Sequence, residues 1–253
     1  LADAVKISRL VLRNTSSRNR RLSVAGYVEW VLGQARPAAV PFVVTKRDAT
    51  TGAILARNSW NVAFADRTAF FDMRGRQSQW TGDRREFIGR NGSLAWPAGL
   101  SASRPLSGRV GAGLDPCAAL LTDIDLKPGE SREIVFLLGD GRDETDAQAL
   151  VKRYRDVDLD TMLSEVRAFW EDTVGTVQVK TPDRSMDIML NGWLTYQTLS
   201  ARVWARSGFY QASGAYGFRD QLQDCMSLAS VRPAMTREHL LRARFAETDR
   251  RQP

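Results

Sequence analysis

The apolar residues of this chain change their spacing near Gly139, and that change limits the folds open to it. Before Gly139 they mostly alternate with polar residues over short runs, as in half-buried strands. After Gly139 they recur every three or four residues, as on one face of a helix. Strands followed by helices predict two separate domains rather than a repeated β-α-β unit.

The strand-like part of the chain predicts a β-sandwich. Runs at 5–13 and 21–32 flank a polar turn and are interpreted as an antiparallel hairpin. Residues 126–138 predict a turn followed by a buried strand. Regular short strands separated by turns are typical of a β-sandwich. The other strands are expected at 40–46, 53–57, 61–65 and 67–71.

The helical part begins with predicted helices at 145–155 and 159–174, the second with Asp160 as its N-cap. A longer helix is expected to begin after a cap at Asp183 or Ser185 and to end near Arg206. Its apolar residues cover more than one face, which is typical of a helix buried between others. Two further helices are expected at 220–231 and 236–246.

Composition excludes several classes of protein. Apolar residues make up 43% and charged residues 26%, and no apolar stretch reaches the roughly 18 to 20 residues of a membrane span. The net charge is +7, but the basic residues are spread along the chain without a nucleic-acid-binding motif, so no nucleic-acid partner is expected. Charged residues within 1–11 argue against a secretory signal. Two distant cysteines, Cys117 and Cys225, fit a reducing compartment.

The segment 207–224 combines glycines, aromatic rings, amides and two carboxylates, a composition poorly suited to a core strand or helix. It suits a loop that leads into a helix and presents rings and polar groups to a sugar. Gly214 and Gly217 would allow positive φ angles and close approach of a ligand. At this point Asp220 has two interpretations: a ligand-binding carboxylate in the first turn, or a helix cap with Gln223 as its partner.

Two other stretches and one histidine are further candidate sites. Residues 80–92 could touch a substrate, but we interpret them as a solvated loop with internal Asp–Arg and Glu–Arg pairs. Residues 139–146 lack the ligand spacing of a calcium loop and are interpreted as a link that ends in a helix cap. His239, the only histidine, is expected in a helix at the surface or in the core, and no catalytic triad follows from it.

A family likeness is carried by Tyr210-Gln211 and by the run Gly217-Phe218-Arg219-Asp220-Gln221-Leu222-Gln223-Asp224, with supporting stretches at 12–17, 27–30, 80–87 and 106–117. These residues resemble glycoside hydrolase family 94, the cellobiose and chitobiose phosphorylases. They are similar in particular to the phosphorylase-like C-terminal regions of bacterial cyclic β-1,2-glucan synthases. The likeness runs from about residue 5 to residue 242.

The resemblance implies a multidomain fold, β and then α. We expect a partial N-terminal β-sandwich at 1–140, a helical linker at 141–182 and the start of an (α/α)6 barrel at 183–253. It implies that Asp220 hydrogen-bonds the sugar next to the scissile bond. The residues lining or supporting that site would be Arg219, Gln223, Tyr210 and Gln211.

The implied reaction is inverting phosphorolysis of a β-glucoside, in which phosphate attacks the anomeric carbon while an aspartic acid protonates the leaving oxygen. Phosphate then takes the place of the activated water of an inverting hydrolase. No cofactor or metal is implied, inorganic phosphate is the co-substrate, and the partner is a β-linked glucan or gluco-oligosaccharide. The resemblance implies the cytoplasmic side of the inner membrane, without insertion into it.

Two departures from the family pattern shape the expectation. Gly214 stands where cellobiose-type enzymes carry an arginine, which favours the glucan-synthase branch. The general acid of the family is expected beyond Pro253, so we expect a fragment that holds part of the sugar site, has no catalytic residue of its own and is inactive alone. Trp193, Tyr196 and Trp204 would be partly exposed and would favour self-association. The alternatives are a stand-alone carbohydrate-binding module and a fragment of a soluble 1,2-β-oligoglucan phosphorylase.

Overall fold

The computed structural model describes residues 3–33, 35–101, 104–204 and 218–249, without the side chains of residues 63, 218, 220, 221 and 244–249. The chain forms two compact units, Leu1–Val157 and Asp158–Pro253. The first is rich in strands and the second is helical, so the predicted order of strands followed by helices is confirmed.

The strands of the first unit form two antiparallel sheets. One sheet has five strands in the order β1-β8-β5-β4-β3, and the other has three in the order β2-β7-β6. The strands are β1 (Val5–Arg13), β2 (Arg20–Glu29), β3 (Val43–Arg47), β4 (Ile54–Asn58), β5 (Thr68–Asp72), β6 (Gln79–Asp83), β7 (Pro116–Leu126) and β8 (Ser131–Gly141). Short helices α1 (Arg36–Ala39), α2 (Arg84–Phe87) and α3 (Ala98–Ser101) and 3-10 turns at Val40–Phe42 and Val62–Phe64 lie between them.

The hairpin predicted between 5–13 and 21–32 is wrong, because β1 and β2 lie in different sheets. β1 pairs with β8 from Val5 opposite Gly139, and β2 pairs with β7 from Arg20 opposite Leu126. The polar turn between them redirects the chain from one sheet to the other. Its buried Asn14 donates from Nδ2 to the carbonyl oxygens of Arg18 at 2.8 Å and Leu126 at 2.9 Å.

The strand predicted at 61–65 is also wrong. Val62–Phe64 is a 3-10 turn, with the amide of Phe64 bonded to the carbonyl of Asn61 at 2.9 Å. Both Val62 and Phe64 are exposed, so their apolar side chains do not mark a buried strand here. The strands predicted at 5–13, 53–57, 67–71 and after the turn in 126–138 are confirmed, and the run at 40–46 is a 3-10 turn that leads into β3.

The two sheets pack face to face around one apolar core. Val24 and Leu120 from the three-stranded sheet meet Ile54, Phe71 and Ile134 from the five-stranded sheet. The sheets come so close at Gly26 that a Cβ there would lie 2.5 Å from Cε1 of Phe136 and 2.8 Å from Cζ of Phe71. Only glycine fits this position without displacement of an aromatic ring.

Helix α4 (Glu144–Arg155) packs on β8 and β5 and so belongs to the first unit. The linker expected at 141–182 includes this helix, and its apolar spacing alone does not show what the helix packs against. Asp143 caps it by accepting from the amide of Asp146 at 2.8 Å, which confirms the predicted helix cap. At its end, Arg155 donates to both carboxylate oxygens of the fully buried Asp72, at 2.9 and 2.7 Å.

The second unit begins with α5 (Leu159–Val174), whose cap is Asp158 and not Asp160 as predicted. Asp158 has extended backbone angles and accepts from the amide of Thr161 at 2.7 Å, whereas Asp160 already lies inside the first turn. Asp183 caps the next helical stretch, as predicted, by accepting from the amide of Ser185 at 2.9 Å.

That stretch is not one uniform helix. It consists of α6 (Arg184–Ile188), a π-helical segment Met189–Trp193, α7 (Leu194–Gln197) and a second π-helical segment Thr198–Val203. The last two helices are α8 (Phe218–Met226) and α9 (Pro233–Asp249), which shifts the helices predicted at 220–231 and 236–246 by a few residues. No helix among the described residues combines the length and apolar character that crossing a bilayer requires.

Candidate functional site

The candidate sugar-binding residues centre on α8. Arg219 and Gln223 are both exposed and lie one helical turn apart, so they share one face of the helix. The helix already runs at Phe218, which places Asp220 inside the first turn rather than before it as a cap. Tyr210 and Gln211 lie outside the described residues, as does the side chain of Asp220.

An ion pair ties α8 to the second π-helical segment. Nε and Nη2 of Arg202 lie 2.9 and 2.7 Å from the same oxygen of Asp224, and both side chains are partly buried. Asp224 is one turn beyond Asp220. The pair therefore helps to fix the position of the turn that carries the predicted sugar-binding carboxylate.

The other side of α8 is held by α9. Cys225 and Leu228 are buried, and the hydroxyl of Thr236 donates to the carbonyl of Cys225 at 3.3 Å. Burial raises the pKa of the Cys225 thiol. His239 of α9 is also buried, so it is a core histidine, one of the two places expected for it.

Aromatic rings cluster on the helices of the second unit. The ring of Trp170 lies 5.2 Å from that of Tyr196 and 5.7 Å from that of Trp204, centroid to centroid. Trp193 is 48%, Tyr196 42% and Trp204 45% exposed, which confirms the predicted partial exposure. Rings of this kind can stack on sugar faces or on another apolar surface.

The stretch 80–92 of the first unit is not the solvated loop that we predicted. It begins within β6 and continues through α2, and Thr81, Asp83, Phe87 and Ile88 are all buried. Asp83 caps α2 by accepting from the amide of Arg85 at 3.0 Å. Its charged residues pair outside the stretch: Arg84, for example, lies 2.8 Å from Glu29 of β2. Sequence spacing could not reveal these partners because β2 is far away along the chain.

Four charged residues form a network beside α2. Arg36 contacts both Glu29 and Asp115, and Arg84 reaches the same two carboxylates at 2.8 and 3.8 Å. Burial opposes ionisation of Glu29, but hydrogen bonds from Tyr27 and Arg84 outweigh it and hold the pKa of this carboxyl below its usual range. Burial and the hydrogen bond to Glu29 raise the pKa of Tyr27. Glu29 is therefore held in its charged form, and Arg36 and Arg84 offset the negative charge of the network.

Known proteins resemble both units. Residues 1–157 match the supersandwich domain of glycosyl hydrolase 94, and residues 169–250 match the catalytic domain of the glycosyl hydrolase 94 superfamily. The chain is 42% identical over 247 residues to the cyclic beta-(1,2)-glucan synthase NdvB of Rhizobium meliloti (strain 1021). The aligned region covers 96% of this chain and 9% of that protein.

More distant relatives include two phosphorylases. The N,N'-diacetylchitobiose phosphorylase of Vibrio proteolyticus is 26% identical over 92% of this chain, and the cellobionic acid phosphorylase of Neurospora crassa is 28% identical over 92%. The chain spans 30% and 29% of their lengths. Because the matches to family domains cover both units, the chain belongs to the glycosyl hydrolase 94 family.

Proposed function

We propose that this chain is part of an inverting β-glucan phosphorylase-type module of a cyclic β-1,2-glucan synthase, and that it holds part of the sugar-binding site. The observation that carries the proposal is the 42% identity to a cyclic glucan synthase across nearly the whole chain, through both units. The ligand that we propose is a β-linked glucan or gluco-oligosaccharide. We also propose that the helices of the second unit form the start of an (α/α)6 barrel.

The proposed sugar-binding residues are Asp220, Arg219, Gln223, Tyr210 and Gln211. The exposed face of α8 supports this assignment, because Arg219 and Gln223 offer a guanidinium and an amide along one side of the helix. Guanidinium and amide groups donate hydrogen bonds to sugar hydroxyls, and carboxylates accept from them.

In the complete reaction, inorganic phosphate would attack the anomeric carbon and a carboxylic acid would protonate the leaving oxygen. We assign neither role to a residue of this chain, and we propose no cofactor. The chain alone should therefore bind sugar without cleaving it. Incubation of residues 1–253 with phosphate and β-1,2-gluco-oligosaccharides should release no glucose 1-phosphate, and release of that product would contradict the assignment.

The binding site itself is tested by calorimetry with β-1,2-gluco-oligosaccharides. Replacement of Asp220 by Asn removes a charged acceptor, worth about 1.5 to 3 kcal/mol, so affinity should fall at least about tenfold. Glu238→Gln is the matched control, because Glu238 is an exposed carboxylate on α9 that pairs with Arg242. Equal affinity of wild type and Asp220→Asn, or no binding by the wild type, would refute the site.

We further propose a place on the cytoplasmic face of the inner membrane and self-association through the second unit. The partial exposure of Trp193, Tyr196 and Trp204 supports the second proposal, because clustered exposed aromatic residues favour association. In sedimentation velocity, the sedimentation coefficient should increase with protein concentration. This increase should be smaller in Trp193→Gln. A wild-type protein that stays monomeric at every concentration would rule it out.

A further inference from the structure

A cleft of about 710 Å³ opens in the first unit, and none of the residues that line it is one assigned to the sugar site. Residues from three parts of the chain line it: the 3-10 turn after α1, the β6–α2 junction and the loop before β7. Both charged and apolar side chains face it, among them Val40, Asp83, Arg85, Arg109, Leu114 and Asp115.

Two arginines of the cleft have donors to spare. Arg85 is exposed, and no salt bridge of it occurs within the part of the chain that the structure describes. Arg109 is 63% exposed, and among the described residues it forms one ion pair, a long contact of 3.5 Å to Asp83. A guanidinium has five N–H donors, so both side chains can donate to a ligand.

The carboxylates of the cleft differ in how far they are already engaged. Glu86 accepts from the Thr81 hydroxyl at 2.5 Å and from the amide and hydroxyl of Ser107 at 2.7 and 2.8 Å. Asp115 has its charge offset by Arg36 and Arg84. Asp83 uses one oxygen to cap α2 and offers the other to Arg109 only at long range. The second carboxylate oxygen of Asp83 can therefore accept a hydrogen bond from a ligand that comes closer than Arg109 does.

The charge balance favours a neutral ligand over an anion. Three carboxylates and two guanidinium groups line the cleft, and two further arginines, Arg36 and Arg84, offset the charge of Asp115. A phosphate would gain from Arg85 and Arg109 but would be repelled by Asp83 and Glu86 nearby. Hydroxyl groups both donate and accept, so a neutral molecule rich in hydroxyls can use the carboxylates as well as the guanidinium groups.

The loop before β7 leaves room for such a molecule. Gly111 and Gly113 have φ angles of 135° and 71°, and a Cβ added to either would meet no atom within 4 Å. The backbone is thus open here, and side chains at these positions would be strained. Val40, Pro41 and Leu114 provide apolar surface against which the C–H groups of a sugar ring can pack.

We propose that this cleft is a second carbohydrate site, which binds a β-linked gluco-oligosaccharide through Arg85, Arg109 and Asp83. The class of ligand rests on the proposed function, whereas the site does not involve α8. Its role is to hold a segment of glucan without acting on it.

Hydrogen exchange followed by mass spectrometry on the full chain can report on the two sites separately. β-1,2-gluco-oligosaccharides should slow exchange in peptides that cover 106–116. The double variant Arg85→Ala/Arg109→Ala should lose this protection, because two charge-assisted donors are gone, and its affinity at this site should fall at least about tenfold. Protection of 218–226 should remain in this variant. Arg90→Ala, also exposed but outside the cleft, is the control and should behave as wild type.

Three outcomes would overturn the cleft site: no protection of 106–116 by the sugar, equal protection in the double variant, or equal protection by inorganic phosphate alone. If the sugar protects 106–116 but not 218–226 in the wild type, the result would instead contradict the proposed function. An unchanged circular dichroism spectrum of the double variant would show that it is folded, as expected for two exposed side chains.

Discussion

At the scale of single residues, the interactions that fix this molecule join positions far apart in the chain. Asp72 and Arg155 are an example: one ends β5, the other ends α4, and the carboxylate is fully buried. A buried carboxylate must keep its partner, because an unpaired charge in the interior is costly.

Replacement of Arg155 by Ala should therefore destabilise the first unit by about 3 kcal/mol, the lower end for a broken buried pair, since Arg155 keeps some contact with water. Urea denaturation with a probe in the first unit measures the change. Arg142→Ala is the comparison, because Arg142 pairs with Asp146 at the surface. A similar midpoint for both variants would show that the Asp72 pair contributes no more than an exposed one.

The Arg202–Asp224 pair should control the order of α8. Loss of this partly buried pair in Arg202→Ala should cost about 1 kcal/mol, which corresponds to roughly fivefold faster exchange of amides in 218–226. The charge-swapped variant Arg202→Asp/Asp224→Arg should recover much of the protection. Arg242→Ala breaks an exposed pair on α9 and serves as control. Unchanged exchange in Arg202→Ala would refute this role.

At the scale of helices and strands, the approach of the two sheets depends on Gly26. A methyl group there would overlap the rings of Phe136 and Phe71. Gly26→Ala should destabilise the first unit by about 1 to 3 kcal/mol, the usual cost of overpacking. Thermal unfolding measures it, and Gly26→Ala/Phe136→Leu should regain part of the loss because the smaller side chain makes room. A Gly26→Ala protein as stable as wild type would show that the sheets can move apart.

Most elements were predictable from the sequence, but their partners were not. Alternation at 5–13 identifies β1 and its two faces, yet it does not say that β8 rather than β2 pairs with it. β6 and β7 were not predicted. For β6, Asp83 and the charged residues after it indicated a loop. For β7, residues 118–121 do not alternate between apolar and polar. The candidate sugar-binding residues of α8 were predicted from the composition of 207–224 and from the family resemblance. The cleft is lined by residues from three distant stretches, so no single stretch of sequence indicates it.

At the scale of the whole molecule, stability should depend on pH through carboxyl groups of the first unit. Asp48 is buried, which by itself would raise its pKa, but hydrogen bonds from Thr51 and Gln148 hold the pKa below its usual range. The pKa of Glu86 is also held below its usual range, because hydrogen bonds from Thr81 and Ser107 outweigh the effect of burial. The unfolded chain therefore binds more protons than the folded one in acid.

The stability from these groups should be fully present above about pH 4.5, near the ordinary pKa values of Asp and Glu, and should be lost as the pH falls through their lower values in the folded protein. The urea concentration at the midpoint of unfolding should be similar at pH 7 and pH 5 and lower at pH 3.5. Asp48→Asn should weaken the drop. A midpoint that stays constant down to pH 3.5 would contradict this explanation.

The pairing of β1 with β8 has a consequence for synthesis of the protein. Val5 lies opposite Gly139, so β1 leaves the ribosome more than a hundred residues before the strand with which it pairs. Until then β1 is an unpaired edge, open to other nascent chains. Closing so long a loop is slow, because chain entropy must be lost before any contact forms. The first unit can therefore fold only after translation has passed Gly141, and chaperones that shield emerging strands would act on this protein during that interval.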